Sequence, residues 1–286
     1  MSIVVTGASG QLGRLVIEDL LERGVGAGDV AAVVRDRGKA ADLAAKGVQV
    51  RVADYDEPAT LKEAFKAGDR VLFVSGSEVG RRLPQHTAVV DAAREAEVGL
   101  LAYTGILGGP AADFALAEEH KLTEQLILDS GLPHTFLRNG WYTEVYTQNL
   151  GTVLEHGAVV ASAGEGRVAS AARADYAAAA AVVLTGEGHE NKVYELSGDT
   201  AWSFAEYAAA VSAATGREIV YQNVSSEQYL DVLVGAGLPA SFAEVLVDVD
   251  RAIGRGLLAG TSGELSRLIG RPTTPMPQSV AAALKG

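Results

Sequence analysis

No cysteine occurs in this chain of 286 residues. Disulfides, thiolate nucleophiles, zinc–thiolate sites and iron–sulfur clusters are thereby excluded. No uninterrupted apolar run approaches the ~20 residues that span a bilayer. The first residues lack the basic, apolar and small-residue succession of a signal peptide, so a cytoplasmic location with no membrane partner is expected. No basic arm, stripe or tail is present. The net charge is −12, and the acidic excess is spread along the chain, which leaves nucleic-acid binding without electrostatic support. The five histidines (His86, His120, His134, His156 and His189) show no i, i+4 pairing, and no metal site is expected. Gly-x-Ser-x-Gly is absent, so a hydrolase nucleophile elbow has no support. None of the nine tyrosines has a lysine four residues later. The Tyr-x-x-x-Lys pair, in which lysine lowers the tyrosine pKa for proton transfer to a carbonyl, is therefore missing.

What the chain does have is glycine in the right places. Residues 3–13 read Ile-Val-Val-Thr-Gly-Ala-Ser-Gly-Gln-Leu-Gly and run straight into a helical pattern at Leu15, Val16, Leu20 and Leu21. This is a strand, a tight turn and a helix, the place where a doubly wound α/β fold binds a dinucleotide. Gly7 supplies the unusual backbone angles of the turn. Gly10, lacking a Cβ, admits a pyrophosphate, and Gly13 lets the helix approach the strand. The helix N-terminus offers unpaired N–H groups and the positive end of a dipole.

Strand and helix then alternate. Further strands are predicted at 29–34, 48–53, 70–75, 100–104 and 135–138, and helices at 58–67, 84–97 and 115–130. Such alternation implies a Rossmann-type, doubly wound parallel sheet covered on both faces. After residue 150 the rhythm changes. A hairpin is predicted around 159–166, a helix over 173–184, and short strands at 193–196 and 219–224. Ser203 with Glu206, and Ser225 with Gln228, have capping-box spacing and open two more helices. The expected organisation is a nucleotide-binding domain over 1–150 and a smaller, mostly helical substrate-covering lobe over 151–286, not cleanly separable.

The residue ending the second strand chooses between nicotinamide cofactors, because a ribose diol needs a carboxylate and a 2′-phosphate needs a cation. Here Val33-Val34 runs into Arg35, with Arg37 and Lys39 close behind. A guanidinium grips phosphate with a bidentate fork, which favours NADPH over NADH. Asp36, one residue late, would hold a diol if the strand ended a residue further on.

The chain resembles the NmrA-like branch of the atypical short-chain dehydrogenase/reductases, and within it the NADPH-dependent quinone oxidoreductases and triphenylmethane reductases. The resemblance rests on Thr6–Gly13, Val33-Val-Arg35, Ala53-Asp-Tyr55, Val74–Gly80 and Ala102-Tyr-Thr104, then on Glu119-His120 with Thr123-Glu124 and on Leu137–Tyr142. Arg173-Ala-Asp175, the stretch 186–191 and Leu268-Ile-Gly270 extend it over nearly the whole length. It implies that Gly7, Ala8, Ser9, Gly10, Gln11, Leu12 and Gly13, with Arg35, hold the adenosine diphosphate half of the cofactor. Asp54 and Tyr55 join that set. Ser75, Gly76 and Ser77 line the cofactor after the fourth strand, and Asn139, Gly140, Trp141 and Tyr142 pack around its nicotinamide end. Ser75, Thr104 and Arg138 stand at strand C-termini, where ligands bind in such sheets.

The catalytic candidates are Tyr103, a hydrogen-bond donor at a strand end or else a core residue, His120 and Lys121. By resemblance, His120 occupies the place where related plant reductases carry a catalytic lysine, and Lys121 is its rival; a histidine at a helix start beside Glu118 and Glu119 also suits a plain surface position. The expected activity is a flavin-independent, metal-free transfer of hydride from NADPH to a quinone-like small molecule. A flat, electron-poor acceptor takes hydride readily, and solvent can protonate the product, so the protein mainly orients and dries the site. A cationic dye or azo substrate differs only in pocket shape. The alternative is a non-catalytic NADP(H) sensor that binds a partner protein. A homodimer through the helices flanking the fifth strand stays open.

Overall fold

The computed structural model describes residues 2–285. Its first elements are β1 (Ile3–Val5), α1 (Gln11–Glu22), β2 (Val30–Val34), α2 (Ala41–Ala45), β3 (Gln49–Val52), α3 (Pro58–Leu61), β4 (Arg70–Phe73), α4 (Arg82–Glu95), β5 (Leu100–Ile106), α5 (Ala115–Ser130) and β6 (His134–Asn139). There follow α6 (Glu144–Thr147), α7 (Leu150–His156), β7 (Ala158–Ala161), β8 (Arg167–Val168), α8 (Arg173–Thr185), β9 (Lys192–Leu196), β10 (Trp202–Ser203) and α9 (Phe204–Thr215). The last are β11 (Val220–Asn223), α10 (Ser226–Gly235), α11 (Ala240–Gly254), α12 (Glu264–Ile269) and α13 (Met276–Ala283).

Seven strands form the main sheet in the order β3-β2-β1-β4-β5-β6-β9, and the pairs from β3 through β6 are parallel. β1 lies between β2 and β4, so the winding reverses beside it and opens a crevice at the strands' C-terminal ends. Every residue of β2 and of β5 is buried, as a strand covered on both faces requires. α1 buries Leu12, Val16, Ile17 and Leu20, one stripe at helical spacing. The alanine run Ala177–Ala181 of α8 is buried as well, and these small side chains let α8 lie close against α1.

The chain falls into two compact units. One comprises the residues up to Pro110 with Glu118–Asn139 and Arg173–Glu195; the other comprises Ala111–Ala117, Gly140–Ala172 and the residues from Leu196 onward. The division therefore differs from the expected boundary at residue 150. Segment 140–150 belongs with the second unit, while α8 and β9 return to the first, because β9 pairs at the edge of the main sheet beside β6.

Three local readings also change. The helix expected to 67 stops at Leu61, because Arg51 Nη1 takes the Ala64 carbonyl at 2.7 Å and Asp69 takes the Lys66 N–H at 3.1 Å. The hairpin at 159–166 does not form. β7 pairs in parallel with β11, and β8 pairs antiparallel with β10, so each half of the expected hairpin finds a distant partner. β5 runs on through Gly105 and Ile106, which pair with Arg138 and Asn139. Both capping boxes are present, at Ser203 with Glu206 and at Ser225 with Gln228. In the second unit Tyr146 stands edge-on to Trp202 and Phe204, with ring centroids 5.1 and 5.4 Å away.

Candidate functional site

The turn between β1 and α1 has the geometry its glycines suggest. Gly7 adopts φ +57°, a left-handed angle that disfavours any side chain. The Gly10 N–H donates to the Gly7 carbonyl at 2.9 Å, and the Ala8 N–H donates to the Val33 carbonyl at 3.1 Å. A Cβ on Gly13 would lie 2.5 Å from the Gly7 oxygen and 2.9 Å from Ala8 Cα, so only glycine lets the helix sit this close. Ala8, Leu12 and Gly13 are buried and brace the turn, while Gly7, Gly10 and Gln11 are exposed and Ser9 is half-buried. No side chain caps α1. Its first-turn N–H groups have no intrahelical acceptor, which makes this end an anion site.

Arg35, the first residue beyond β2, has 69% of its side chain exposed and lies 3.6 Å from Glu78. Two nearby guanidinium groups are engaged elsewhere. Arg37 Nη2 donates to the Val50 carbonyl at 3.0 Å, and Arg14 is held by Asp42 and by the Lys39 carbonyl. Asp36 is also committed: its carboxylate accepts from the Gly38 N–H at 2.8 Å and caps the turn that follows. The one carboxylate that would suit a ribose diol here thus holds backbone instead.

Asp54 and Tyr55 hold structure together as well. Asp54 Oδ1 accepts from the Asp56 N–H at 3.1 Å, and its own N–H donates to the Thr60 hydroxyl at 2.9 Å. The Tyr55 hydroxyl joins the Thr6 hydroxyl and the Val74 carbonyl, and the Val74 N–H donates to Thr6 Oγ1 at 3.0 Å. This network ties the C-terminal ends of β1 and β4 beside the crevice. Burial pushes the Tyr55 phenol well above its usual range.

The loop after β4 is fastened at several points. The Ser75 N–H donates to Thr104 Oγ1 at 2.9 Å. The Gly76 N–H donates to His86 Nε2 at 3.0 Å, and Arg82 Nε donates to the Gly76 carbonyl at 2.7 Å. Ser77 is exposed. His86 Nδ1 lies 2.7 Å from Thr123 Oγ1, whose own proton goes to the Glu119 carbonyl at 2.7 Å. His86 is therefore the neutral Nδ1–H tautomer with Nε2 as acceptor. Burial, and then the Arg82 charge, hold its pKa down at about 3. The Glu119 carboxylate accepts from the N–H groups of Gly80 and Arg82, both at 3.0 Å.

The catalytic candidates lie away from solvent or on the surface. Tyr103 is fully buried, and its hydroxyl lies 2.7 Å from His120 Nδ1. Its ring packs 5.1 Å from Phe73, within the core. Burial raises the phenol pKa, and burial with the Arg82 charge lowers His120 to about 3. Both groups are neutral near pH 7, and each is the other's partner. Lys121 ion-pairs with Glu118 one turn away at 2.7 Å. Arg138, expected among ligand-binding groups, forks onto buried Glu124 at 2.7 and 2.9 Å and reaches Glu195 at 2.8 Å. Glu195 also accepts from the Gly108 N–H at 2.7 Å.

The segment Glu119-His120-x-x-Thr123-Glu124 is thus a latch on one face of α5. Its four side chains secure the β4–α4 loop, β5, α4 and β6. The legible signal for it was the i, i+1, i+4, i+5 spacing of polar residues on an otherwise half-apolar helix. His86 and Arg82 were missed, because nothing in their local pattern shows that they face the Gly76 peptide.

Asn139 is buried at the end of β6, and its carbonyl accepts from the Leu107 N–H at 2.9 Å. In the second unit the Gly140 N–H donates to the Leu196 carbonyl at 2.7 Å, and the Trp141 carbonyl accepts from the Ala171 N–H at 3.1 Å. Tyr142 bridges in parallel to Ala171, so residues 140–142 are held in extended form. Among the described residues there is no cluster of three or more His, Asp or Glu arranged for a metal. No helix among them is long and apolar enough to cross a membrane.

An open glycine turn, a helix N-terminus without a cap and an exposed guanidinium stand together at the C-terminal ends of β1 and β2. Known proteins are similar to this chain in sequence and in shape. Quinone oxidoreductase 2 of Escherichia coli (strain K12) is 46% identical over 98% of this chain and 97% of its own length. The structure of the E. coli NADPH-dependent quinone oxidoreductase complexed with NADPH superposes with a TM-score of 0.95 at 45% identity, covering 99% of both chains. The Citrobacter sp. triphenylmethane reductase complexed with NADP(H) matches equally well, with a TM-score of 0.95 at 43% identity over 99% of this chain and 100% of that one. The description "NmrA-like family" matches residues 1–260, and with the glycine turn, the Arg35 cation and the α5 latch in place, the chain belongs to that family.

Proposed function

We propose that this protein is an NADPH-dependent oxidoreductase that reduces a quinone or a similarly flat, electron-poor small molecule without a flavin. The observation that carries the reading is an exposed cation beside a committed carboxylate at the end of β2: Arg35 is 69% exposed, with Glu78 3.6 Å away as its partner, while Asp36 caps its own turn. A 2′-phosphate finds a fork there, whereas the carboxylate next in sequence, Asp36, is turned to its own backbone and Glu78 faces the guanidinium. The relatives named above, a quinone oxidoreductase and a triphenylmethane reductase, support the same choice of coenzyme and acceptor class.

The residues present fit the coenzyme. Gly7, Ser9 and Gln11 would receive the pyrophosphate on backbone N–H groups, and Gly10, lacking a Cβ, would let it approach, with Ala8, Leu12 and Gly13 fixing the turn. Arg35 would hold the 2′-phosphate, and Ser75, Gly76 and Ser77 would line the adenosine-to-nicotinamide path, held by His86, Arg82 and Glu119. Asp54 and Tyr55 act behind this surface by fixing the ends of β1, β3 and β4. Asn139 and the residues that follow it, Gly140, Trp141 and Tyr142, are assigned to the nicotinamide end on their resemblance to the family. When bound, the coenzyme supplies a hydride.

The chain itself binds, orients and excludes water. We assign Tyr103 and His120 to the core rather than to proton transfer, since Tyr103 is fully buried, His120 is nearly so, and each is the other's hydrogen-bond partner. Lys121 is left as the surface-facing cation of that helix turn. An acceptor whose reduced form is a modest base, protonated by solvent, suits a site without a committed acid. The sensor alternative gains no observation from the fold.

The test mixes purified protein with NADPH and 1,4-benzoquinone, with and without added FMN, and repeats the assay with NADH. NADPH consumption that is independent of FMN and faster than with NADH is expected. A rate no greater than the protein-free control removes the reading.

A further inference from the structure

The carboxylate facing Arg35 has no part in the roles described so far. Glu78 lies in the loop between β4 and α4, and its Oε1 is 3.6 Å from Arg35 Nη1. Its other oxygen, Oε2, accepts from Arg81 Nη1 at 3.2 Å and from Gln85 Nε2 at 3.4 Å. Arg81 and Gln85 are themselves anchored on Asp56, at 2.9 and 3.1 Å. Glu78 is therefore a charge placed by a polar scaffold, aimed at the exposed guanidinium that follows β2.

We propose that Glu78 moderates the preference for NADPH over NADH: it holds Arg35 while the 2′-phosphate position is empty, and NADPH binds by taking Arg35 from it. This rests on the reading that Arg35 receives the 2′-phosphate. A phosphate carries more negative charge than a carboxylate and matches the guanidinium fork with more oxygens, so it wins the exchange. NADH, whose ribose carries hydroxyls there, leaves the Arg35–Glu78 pair intact and gains nothing from disturbing it. The price of the arrangement is affinity: each NADPH must first break an ion pair, and the released Glu78 then stands near the phosphate as a like charge.

Exchange also reaches the loop. Once Arg35 leaves, Glu78 is held only by Arg81 and Gln85 at the start of α4, so the 75–80 segment and the 2′-phosphate are linked through one side chain. Arg37 does not substitute for Arg35 here, because its guanidinium is bound to the Val50 carbonyl of β3.

The test measures dissociation constants of NADPH and NADH by isothermal titration calorimetry for the parent protein, Glu78→Gln, Arg35→Gln and the double variant. Glu78 is half-exposed, and glutamine keeps its length and its acceptor oxygen. With Glu78→Gln, NADPH is expected to bind about two- to fivefold tighter, the range for release of an exposed ion pair, while NADH is unchanged. In the Arg35→Gln background, adding Glu78→Gln is expected to shift NADPH affinity by much less. Raising ionic strength is expected to shrink the difference between parent and Glu78→Gln. Equal tightening of both coenzymes, weaker NADPH binding, or the same gain without Arg35 overturns the proposal. Failure of the underlying reading is seen separately, as an Arg35→Gln protein that keeps the parent's preference for NADPH.

Discussion

Lowering the pH from 7 to 5 should destabilise this protein through two buried histidines, and the size of the loss follows from their surroundings. His86 and His120 are held at about 3 in the folded chain, against an ordinary value of 6.5. Below 6.5 the unfolded chain takes up protons that the folded chain refuses. Stability is therefore complete above pH 6.5 and falls with pH until about 3, with a slope of about 1.4 kcal/mol per unit for each histidine. At pH 5 each has cost about 2 kcal/mol, and the pair about 4 kcal/mol. His189, half-exposed and shifted down mainly by burial, adds in the same direction.

One group opposes them. Burial raises Asp250 to about 6 from 3.8, although the Ser162 N–H donates to it at 2.7 Å. Its folded form gains a proton first and returns about 1 kcal/mol by pH 5. The lowered carboxylates, Asp42, Asp199, Glu206 and Glu227, titrate below this window. The expected net loss is about 3 kcal/mol, a large share of the stability of an ordinary domain. Urea unfolding at pH 7 and pH 5 measures it, and His86→Gln or His120→Gln should each flatten the dependence by about one proton. A parent protein that loses less than about 1 kcal/mol, or variants with the parental slope, would refute the reasoning.

Two substitutions test the site more locally. Gly13→Ala forces a Cβ to 2.5 Å from the Gly7 oxygen, and because the obstacles are backbone the turn must move; coenzyme affinity by calorimetry should fall at least tenfold, and unchanged affinity would count against a coenzyme in this turn. Tyr103→Phe removes a hydroxyl whose partner is His120, so the thermal midpoint should drop by an amount equivalent to about 1–2 kcal/mol while kcat with benzoquinone stays within about twofold; a collapse of kcat with an intact midpoint would return Tyr103 to the chemistry.

What was legible in the sequence was local. The Gly7–Gly13 turn, the succession of buried strands, and the capping boxes at Ser203 and Ser225 are set by residues within a few positions of one another. The end of β2 was half legible: Arg35 and Asp36 were visible as rivals, but the Asp36–Gly38 hydrogen bond that commits one of them was not. Pairings between distant segments were not legible. The β7 sequence does not reveal that its partner is β11 rather than the next strand, nor does Lys192–Leu196 reveal that it returns to the main sheet. The surroundings of Tyr103 and His120 were hidden for a related reason. Histidine and tyrosine suit catalysis and core alike, and the choice depends on how α5 is rotated against β5, which the helical pattern leaves open.

The latch on α5 has a consequence for exchanging parts between members of the family. Its partners at Gly80, Arg82, His86, Tyr103 and Arg138 all precede or follow it within one stretch of chain. A chimaera that imports this helix alone severs four anchorages at once and leaves two carboxylates stranded in the interior. One that moves residues 74–139 as a block carries every anchorage with it. The natural cassette of this architecture is therefore the run from the end of β4 to the end of β6, with Glu195, which Arg138 also reaches, kept alongside it.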